Sequence, residues 1–220
     1  MKSRHILNIG YPKCGTSWCW NMLENQPWFS TPREKENLDL QKGMVVNDYL
    51  QYYQECDFSA NFTPGNFALD RFIIQQLSEH PTVGTSIILR NPFEIYWSLY
   101  NFMPHSFNSY NAYVDNLITQ GWFNQTSLII TRWRHFFESR FQIFYYENIK
   151  QDSNKFFDDY CCRMQLPDPV VLDSSLVNVT KYGRRPSEAL SAKIVKIINQ
   201  NIEDLQIIVE QDLSRWKHVS

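Results

Sequence analysis

Two groups of polar residues follow strand-like apolar runs, and each has the chemistry of an anion site. Gly10 to Trp18 reads GYPKCGTSW directly after the run Ile6 to Ile9. A strand, a tight turn carrying Gly10 and Gly15, and a helix starting near Thr16 form the arrangement in which backbone N–H groups and the helix dipole receive a phosphate. Lys13 adds a full positive charge, and Thr16 and Ser17 add hydroxyl donors. The second group lies in SIILRNPFEIYWSLYN, Ser86 to Asn101, where an apolar run ends in Arg90 and Pro92 opens a helix that carries Ser98 two turns in. The planar fork of Arg90 suits two parallel hydrogen bonds to phosphate oxygens.

These groups depart from the common nucleoside-triphosphate pattern. In a Walker A loop the lysine follows the second glycine, whereas here Thr16 holds that place and Lys13 precedes Gly15. A magnesium-dependent enzyme of that class places an Asp at the end of the second strand, where this chain has Arg90. A fixed cation there implies direct anion binding without a metal. The cysteines, Cys14, Cys19, Cys56, Cys161 and Cys162, have neither metal-ligand spacing nor the pattern of a disulfide framework.

The elements that must position these residues follow from the alternation of apolar runs. Strand-length runs occur at Ile6 to Ile9, Thr85 to Leu89 and Phe141 to Tyr146, with amphipathic stretches of helix length between them. The pattern predicts an α/β chain, a three-layer P-loop-like fold with a central, mostly parallel β-sheet flanked by helices. A helix is expected over Thr16 to Glu24. Another is expected over Ser187 to Trp216, opened by Pro186-Ser187-Glu188. The aromatic and Asn-rich stretch around 101–125 fits either a lid or acceptor-facing insertion or an ordinary surface helix.

At 220 residues and 43% hydrophobic composition, the chain has the size of one domain, 1–220, with a substantial core. The net charge of −2 gives no general attraction to nucleic acid. MKSRH passes straight into ILNIG without a signal-peptide pattern, and no apolar run reaches the length of a membrane span, so a cytoplasmic protein without a membrane partner is expected. The Asn-x-Thr sequons at Asn61, Asn124 and Asn178 are about what an Asn-rich chain produces by chance.

Beyond composition, PKCGTSW at Pro12 to Trp18 resembles the 5′-phosphosulfate loop of sulfotransferases that use 3′-phosphoadenosine-5′-phosphosulfate (PAPS) as donor. That motif reads Pro-Lys-x-Gly-Thr-Thr/Ser and often ends in Trp. Arg90, Pro92, Ser98 and Tyr100 are similar to the 3′-phosphate motif of the same family. The resemblance implies that Lys13 contacts the oxygen bridging phosphate and sulfuryl group. It further implies that the loop Cys14, Gly15, Thr16 and Ser17 holds the 5′-phosphate, and that Arg90 and Ser98 hold the 3′-phosphate. Trp18 either stacks on adenine or packs in the core. FYYENIK, Phe144 to Lys150, looks like a strand end of the family and makes Tyr146 a candidate adenine contact. KYGRR brings Lys181, Arg184 and Arg185 as further 3′-phosphate candidates, and QDLSRW, Gln211 to Trp216, resembles the closing motif of many microbial members.

The implied reaction is sulfuryl transfer from PAPS to a hydroxyl or amine of a small-molecule or glycan acceptor, leaving adenosine 3′,5′-bisphosphate (PAP). Such a transfer needs a base for the acceptor proton. No histidine has the family's setting: His80 precedes Pro81 in a loop, and His105 lies in the 101–125 stretch. The family's other base is a Glu within Lys-Glu, soon after the first helix. In TPREKENLDL, Thr31 to Leu40, this points to Glu34 preceded by Arg33, with Glu36 as rival and Asp57 as an auxiliary carboxylate. Lys13, Glu34 and Ser98 are thus the expected catalytic residues. The alternatives are a P-loop nucleotide or small-molecule kinase, and a nucleotide-binding protein of the same fold without turnover.

Overall fold

A computed structural model of the chain describes residues 4–102, 106–121, 123–170 and 189–218. In chain order the regular elements are β1 (Arg4–Asn8), α1 (Thr16–Glu24), α2 (Val46–Gln51), β2 (Phe58–Asn61), α3 (Arg71–Ser78), β3 (Val83–Leu89) and α4 (Pro92–Phe102). They continue with α5 (Tyr110–Thr119), α6 (Thr126–Phe137), β4 (Phe141–Tyr145), α7 (Tyr146–Gln151), α8 (Ser153–Arg163) and α9 (Ala192–Val209). The described strands form one sheet in the order β2-β1-β3-β4, and every neighbouring pair is parallel. Every residue of β3 is buried, as expected of a parallel strand covered on both faces.

The strand β2, FSAN, was not anticipated, because two of its four residues are polar. It forms because those side chains are paired beneath the surface. Ser59 Oγ lies 2.9 Å from His5 Nδ1, and Tyr49 Oη lies 2.9 Å from His5 Nε2. Asn61 donates from Nδ2 to Tyr49 Oη and to the carbonyl of Asn37, both at 2.9 Å. A neutral imidazole donates from one ring nitrogen and accepts at the other, so both ring nitrogens of His5 have a hydroxyl partner. The ring of His5 also stacks on Tyr53, with centroids 4.0 Å apart. Asn61 is wholly buried here, so its sequon is an internal hydrogen-bonding residue.

The chain divides into two compact units: one comprises the chain up to Leu89 and the segment from Trp133 through α8, the other Arg90–Arg132 and the C-terminal helix. In the first, Arg140 braces the chain between α3 and β3 by donating to the carbonyls of Ser78, His80 and Val83. In the second, an aromatic cluster joins α4 to α5, with Trp97 and Tyr100 both edge-on to Tyr110. The 101–125 stretch thus contains a regular helix, α5, capped by Ser109, whose hydroxyl accepts from Ala112 N at 3.1 Å.

The last helix is shorter than its expected span. It starts after Ser191, whose hydroxyl accepts from Ile194 N at 3.4 Å, and ends where Glu210 turns left-handed at φ 55°. Pro186, Ser187 and Glu188 lie outside the described residues, and Ser214–Trp216 forms a separate turn of 3₁₀ helix.

Burial pulls the pKa of His5 from 6.5 down to about 3. Below pH 6.5 the unfolded chain therefore takes up a proton that the folded chain refuses, and stability falls as pH drops toward 3 by up to about 1.4 kcal/mol per pH unit. Urea unfolding is expected to show the wild type losing about 2 kcal/mol more than His5→Gln between pH 7 and pH 5. Equal losses in the two proteins would mean that His5 is not buried neutral.

Candidate functional site

The loop after β1 is shaped by buried side chains. Asn8 accepts from Gly10 N through Oδ1 and donates to Ser86 Oγ through Nδ2, each at 3.1 Å, while its carbonyl accepts from Asn66 Nδ2 at 3.0 Å. This carries the chain off the sheet at Gly10, where an added Cβ would sit 3.2 Å from Asn8 Oδ1 and 3.4 Å from Ile88 N. Lys13 follows in the left-handed region at φ 66°, a conformation that costs an L-residue about 1–2 kcal/mol. Cys14 is buried.

Gly15, at φ 87°, is the N-cap of α1, and no side chain caps that helix. The first amide to bond back within the helix is that of Cys19, to Gly15 O at 3.0 Å. The amides of Thr16, Ser17 and Trp18 belong to the first turn, which has no acceptor inside the helix. Together with Lys13 they make an anion-receiving helix start. A Cβ at Gly15 would lie 2.9 Å from Ile149 Cδ1 and 2.9 Å from Tyr146 Cδ2. Tyr146 therefore packs on the loop itself, and Lys150 Nζ stands 5.1 Å from its ring.

A residue that sequence reasoning missed completes this side. Lys35 Nζ donates to Ser17 Oγ at 3.0 Å and to Glu36 Oε1 at 2.9 Å, tying the segment after α1 to the loop. Its backbone is fixed as well. Phe62 N donates to Lys35 O at 2.9 Å, and Asn61 Nδ2 and Thr63 Oγ1 donate to Asn37 O. Lys35-Glu36 is itself a Lys-Glu pair, two residues beyond Arg33-Glu34. Glu34 is exposed and has no side-chain hydrogen bond or ion pair with the described residues, while the guanidinium of Arg33 lies 4.0 Å above the Tyr52 ring.

Trp18 is 3% exposed and meets Phe156 and Phe157 edge-on, so its ring belongs to the apolar packing under the loop. Asp57 precedes β2, and its carbonyl accepts from Arg4 N at 2.7 Å. Because β1 and β2 are parallel, Asp57 stands at the end where the strands enter the sheet, with about 13 Å of strand between it and the loop end. The structure does not bring it to the site. His80 lies at the same entering end, on a cavity of about 340 Å³ shared with His5, Gln51 and Gln54. His105, Lys181, Arg184 and Arg185 lie outside the described residues.

Arg90 and Ser98 belong to the second unit. Arg90 directly follows β3, is buried, and pairs through an Nη with Glu94 Oε2 at 3.3 Å in the first turn of α4. Ser98 is fully buried on the same helix. Burial raises the Cys19 thiol well above its usual range and the Cys161 thiol to about 12, so neither is a thiolate near neutral pH. Among the described residues no group of three His, Cys, Asp or Glu could hold a metal ion, and no helix is long and apolar enough to cross a membrane.

The α/β fold of the chain, a parallel four-stranded sheet flanked by helices, is the sulfotransferase fold. A sulfotransferase from Alicyclobacillus acidocaldarius matches with a TM-score of 0.71 at 16% identity over 99% of this chain and 100% of that one. The sulfotransferase domain of the Synechococcus PCC 7002 olefin synthase matches at 0.57 and 15% identity over 97% of each chain. Mouse sulfotransferase SULT7A1, solved in complex with PAP, matches at 0.54 and 15% identity over 94% of this chain and 67% of that one. The sequence matches no family model and no curated protein.

The packing at Gly15 can be measured against Gly43, which has φ 90° and, among the described residues, nothing within 4 Å of an added Cβ. Gly43→Ala is expected to cost about 1–2 kcal/mol, from the backbone alone. Gly15→Ala should cost about 1 kcal/mol or more beyond that, because it also overpacks Tyr146 and Ile149. Equal costs in urea unfolding would mean that Tyr146 does not rest on the loop.

Proposed function

We propose that this chain is a PAPS-dependent sulfotransferase, with one sulfotransferase domain over 1–220, that moves a sulfuryl group to a hydroxyl or amine of a small-molecule or glycan acceptor. The observation that carries the reading is the uncapped helix start of α1 with Lys13 beside it, in a chain that has the sulfotransferase fold. Lys13 and the loop Cys14 to Ser17 are assigned to the 5′-phosphosulfate, with Tyr146 against the loop. Arg90 and Ser98 are assigned to the 3′-phosphate on their motif. Trp18 is given a packing role, in keeping with its burial.

In the proposed transfer the acceptor oxygen attacks sulfur in line with the bond to the bridging oxygen. That bond breaks, PAP departs with its electron pair, and the acceptor proton passes to a carboxylate. Lys13 offsets charge growing on the departing phosphate. The base is assigned to Glu36, because Lys35 holds its carboxylate beside Ser17, whereas Glu34 has no comparable tether. Lys35 also reduces the repulsion between an ionised base and an anionic donor.

Titration calorimetry is expected to give tighter binding of PAP than of ATP with magnesium. Tight binding of ATP with magnesium and none of PAP would support the kinase reading instead. Lys13→Ala should lower PAPS turnover by about 10²–10³-fold across a panel of phenol and sugar acceptors. Unchanged turnover in that variant would remove Lys13 from the mechanism.

The base assignment has its own test. Glu36→Gln is expected to lower kcat about 100-fold or more, while Glu34→Gln stays within about twofold, as befits an exposed carboxylate outside the reaction. The reverse pattern would return the role to Glu34.

A further inference from the structure

Arg90 sits in a link of two residues, Arg90 and Asn91, between the end of β3 and the start of α4. In so short a link the direction of Arg90 depends on how Asn91 is held. The carbonyl of Asn91 accepts from Glu94 N at 3.0 Å and Ile95 N at 3.1 Å, and its side-chain Oδ1 accepts from Phe93 N at 3.0 Å. These bonds close the first turn of α4 in the manner of an N-cap. The other half of the same amide faces a different element: Nδ2 donates to the carbonyl of Trp216 at 3.3 Å.

Trp216 is fixed in its turn. It is 2% exposed, and its amide donates to Leu213 O at 2.8 Å. The segment around it is fastened to α9 at three places. Gln206 Oε1 accepts from Leu213 N at 2.9 Å, Glu203 Oε1 accepts from Lys217 Nζ at 2.8 Å, and Asn199 exchanges two hydrogen bonds with the backbone of His218. The His218 ring also lies 5.6 Å from that of Phe93, the residue whose amide Asn91 caps. The closing motif QDLSRW thus ends on the turn that carries Arg90, with α9 as its support.

We infer that the C-terminal segment Leu213–His218 is a clamp that orients Arg90, with Asn91 as the positioning residue between them. The inference rests on the reading of Arg90 as a ligand of the donor's 3′-phosphate. A guanidinium that must meet a phosphate with two parallel bonds tolerates little rotation, so a swing of the link costs affinity at that phosphate and nowhere else. The clamp therefore governs discrimination between nucleotides with and without a 3′-phosphate.

Asn91→Ser separates the two halves of the amide, because a serine hydroxyl can still cap α4 but is too short to reach Trp216 O, and it adds no charge. A chain ending at Leu213 removes the Trp216 carbonyl itself. Calorimetry with PAP and with adenosine 5′-phosphate, which lacks the 3′-phosphate, is the readout. The wild type should prefer PAP, and both variants should lose about tenfold of that preference with binding of adenosine 5′-phosphate unchanged. A wild-type preference that survives intact in Asn91→Ser overturns the clamp. A wild type that binds the two nucleotides equally overturns the 3′-phosphate reading of Arg90, and the clamp with it. If the shortened chain does not fold, Asn91→Ser alone decides.

Discussion

The chain can leave its buried first strand only because the side chain of Asn8 stands in for backbone. At Ile9 the ladder to β3 is still running, with Ile9 N bonded to Ser86 O at 2.8 Å. At Gly10 it ends, and the buried amide is taken by Asn8 Oδ1 instead. An unmet amide at that depth would cost about 1–3 kcal/mol. The remaining polar atoms of Asn8 are used as well, on Ser86, which lies 3.1 Å from Tyr160 Oη, and on Asn66. The exit angle of the loop is thereby set by residues of β3, α8 and the turn after β2. Leu or Ala at position 8 would suit the core but would leave Gly10 N unpaired, and the left-handed steps at Lys13 and Gly15 would lose their fixed origin.

A second buried network does for the carboxylate side what Asn8 does for the loop. Lys35 and Glu36 lie in a stretch without regular structure, yet their backbone is pinned by Phe62, Asn61 and Thr63 and hence by the His5 and Tyr49 pairings below. The bond from Lys35 to Glu36 and the bond from Lys35 to Ser17 hold the ammonium and the carboxylate together beside the loop. With Glu36 about half exposed, solvent weakens the attraction, so geometry contributes more than charge to holding the pair.

What could be read from the sequence was what depends on neighbours along the chain. The helix Thr16–Glu24 was expected over those residues, and the runs foretelling β1, β3 and β4 coincide with the strands to within a few residues. Gly15 before a helix and Pro92 within one are local signals of backbone geometry. The strand β2 escaped notice because Ser59 and Asn61 are core residues only through partners on β1 and α2. The cation that meets Ser17 is hidden for the same reason: PREKE offers Arg33-Glu34 and Lys35-Glu36 equally, and Lys35 is the one bonded to Ser17 Oγ, on a backbone held by Asn61, Phe62 and Thr63.

The two proposed phosphate-binding groups consequently differ in how they are held. The 5′ side is secured by hydrogen bonds to buried side chains of the sheet, where every strand neighbour constrains the loop. Arg90 leaves the sheet on a link of only two residues, and the grip on Asn91 and the ion pair with Glu94 both bear on its orientation. An i,i+4 pair of this kind fixes the guanidinium relative to its own helix but not that helix relative to α9. The Trp216 carbonyl, from a segment bolted to α9, ties the helix start to that helix. Distant sequence at the C-terminus is thus needed to specify a local turn, because two residues between a strand and a helix carry too few backbone groups to define their own direction.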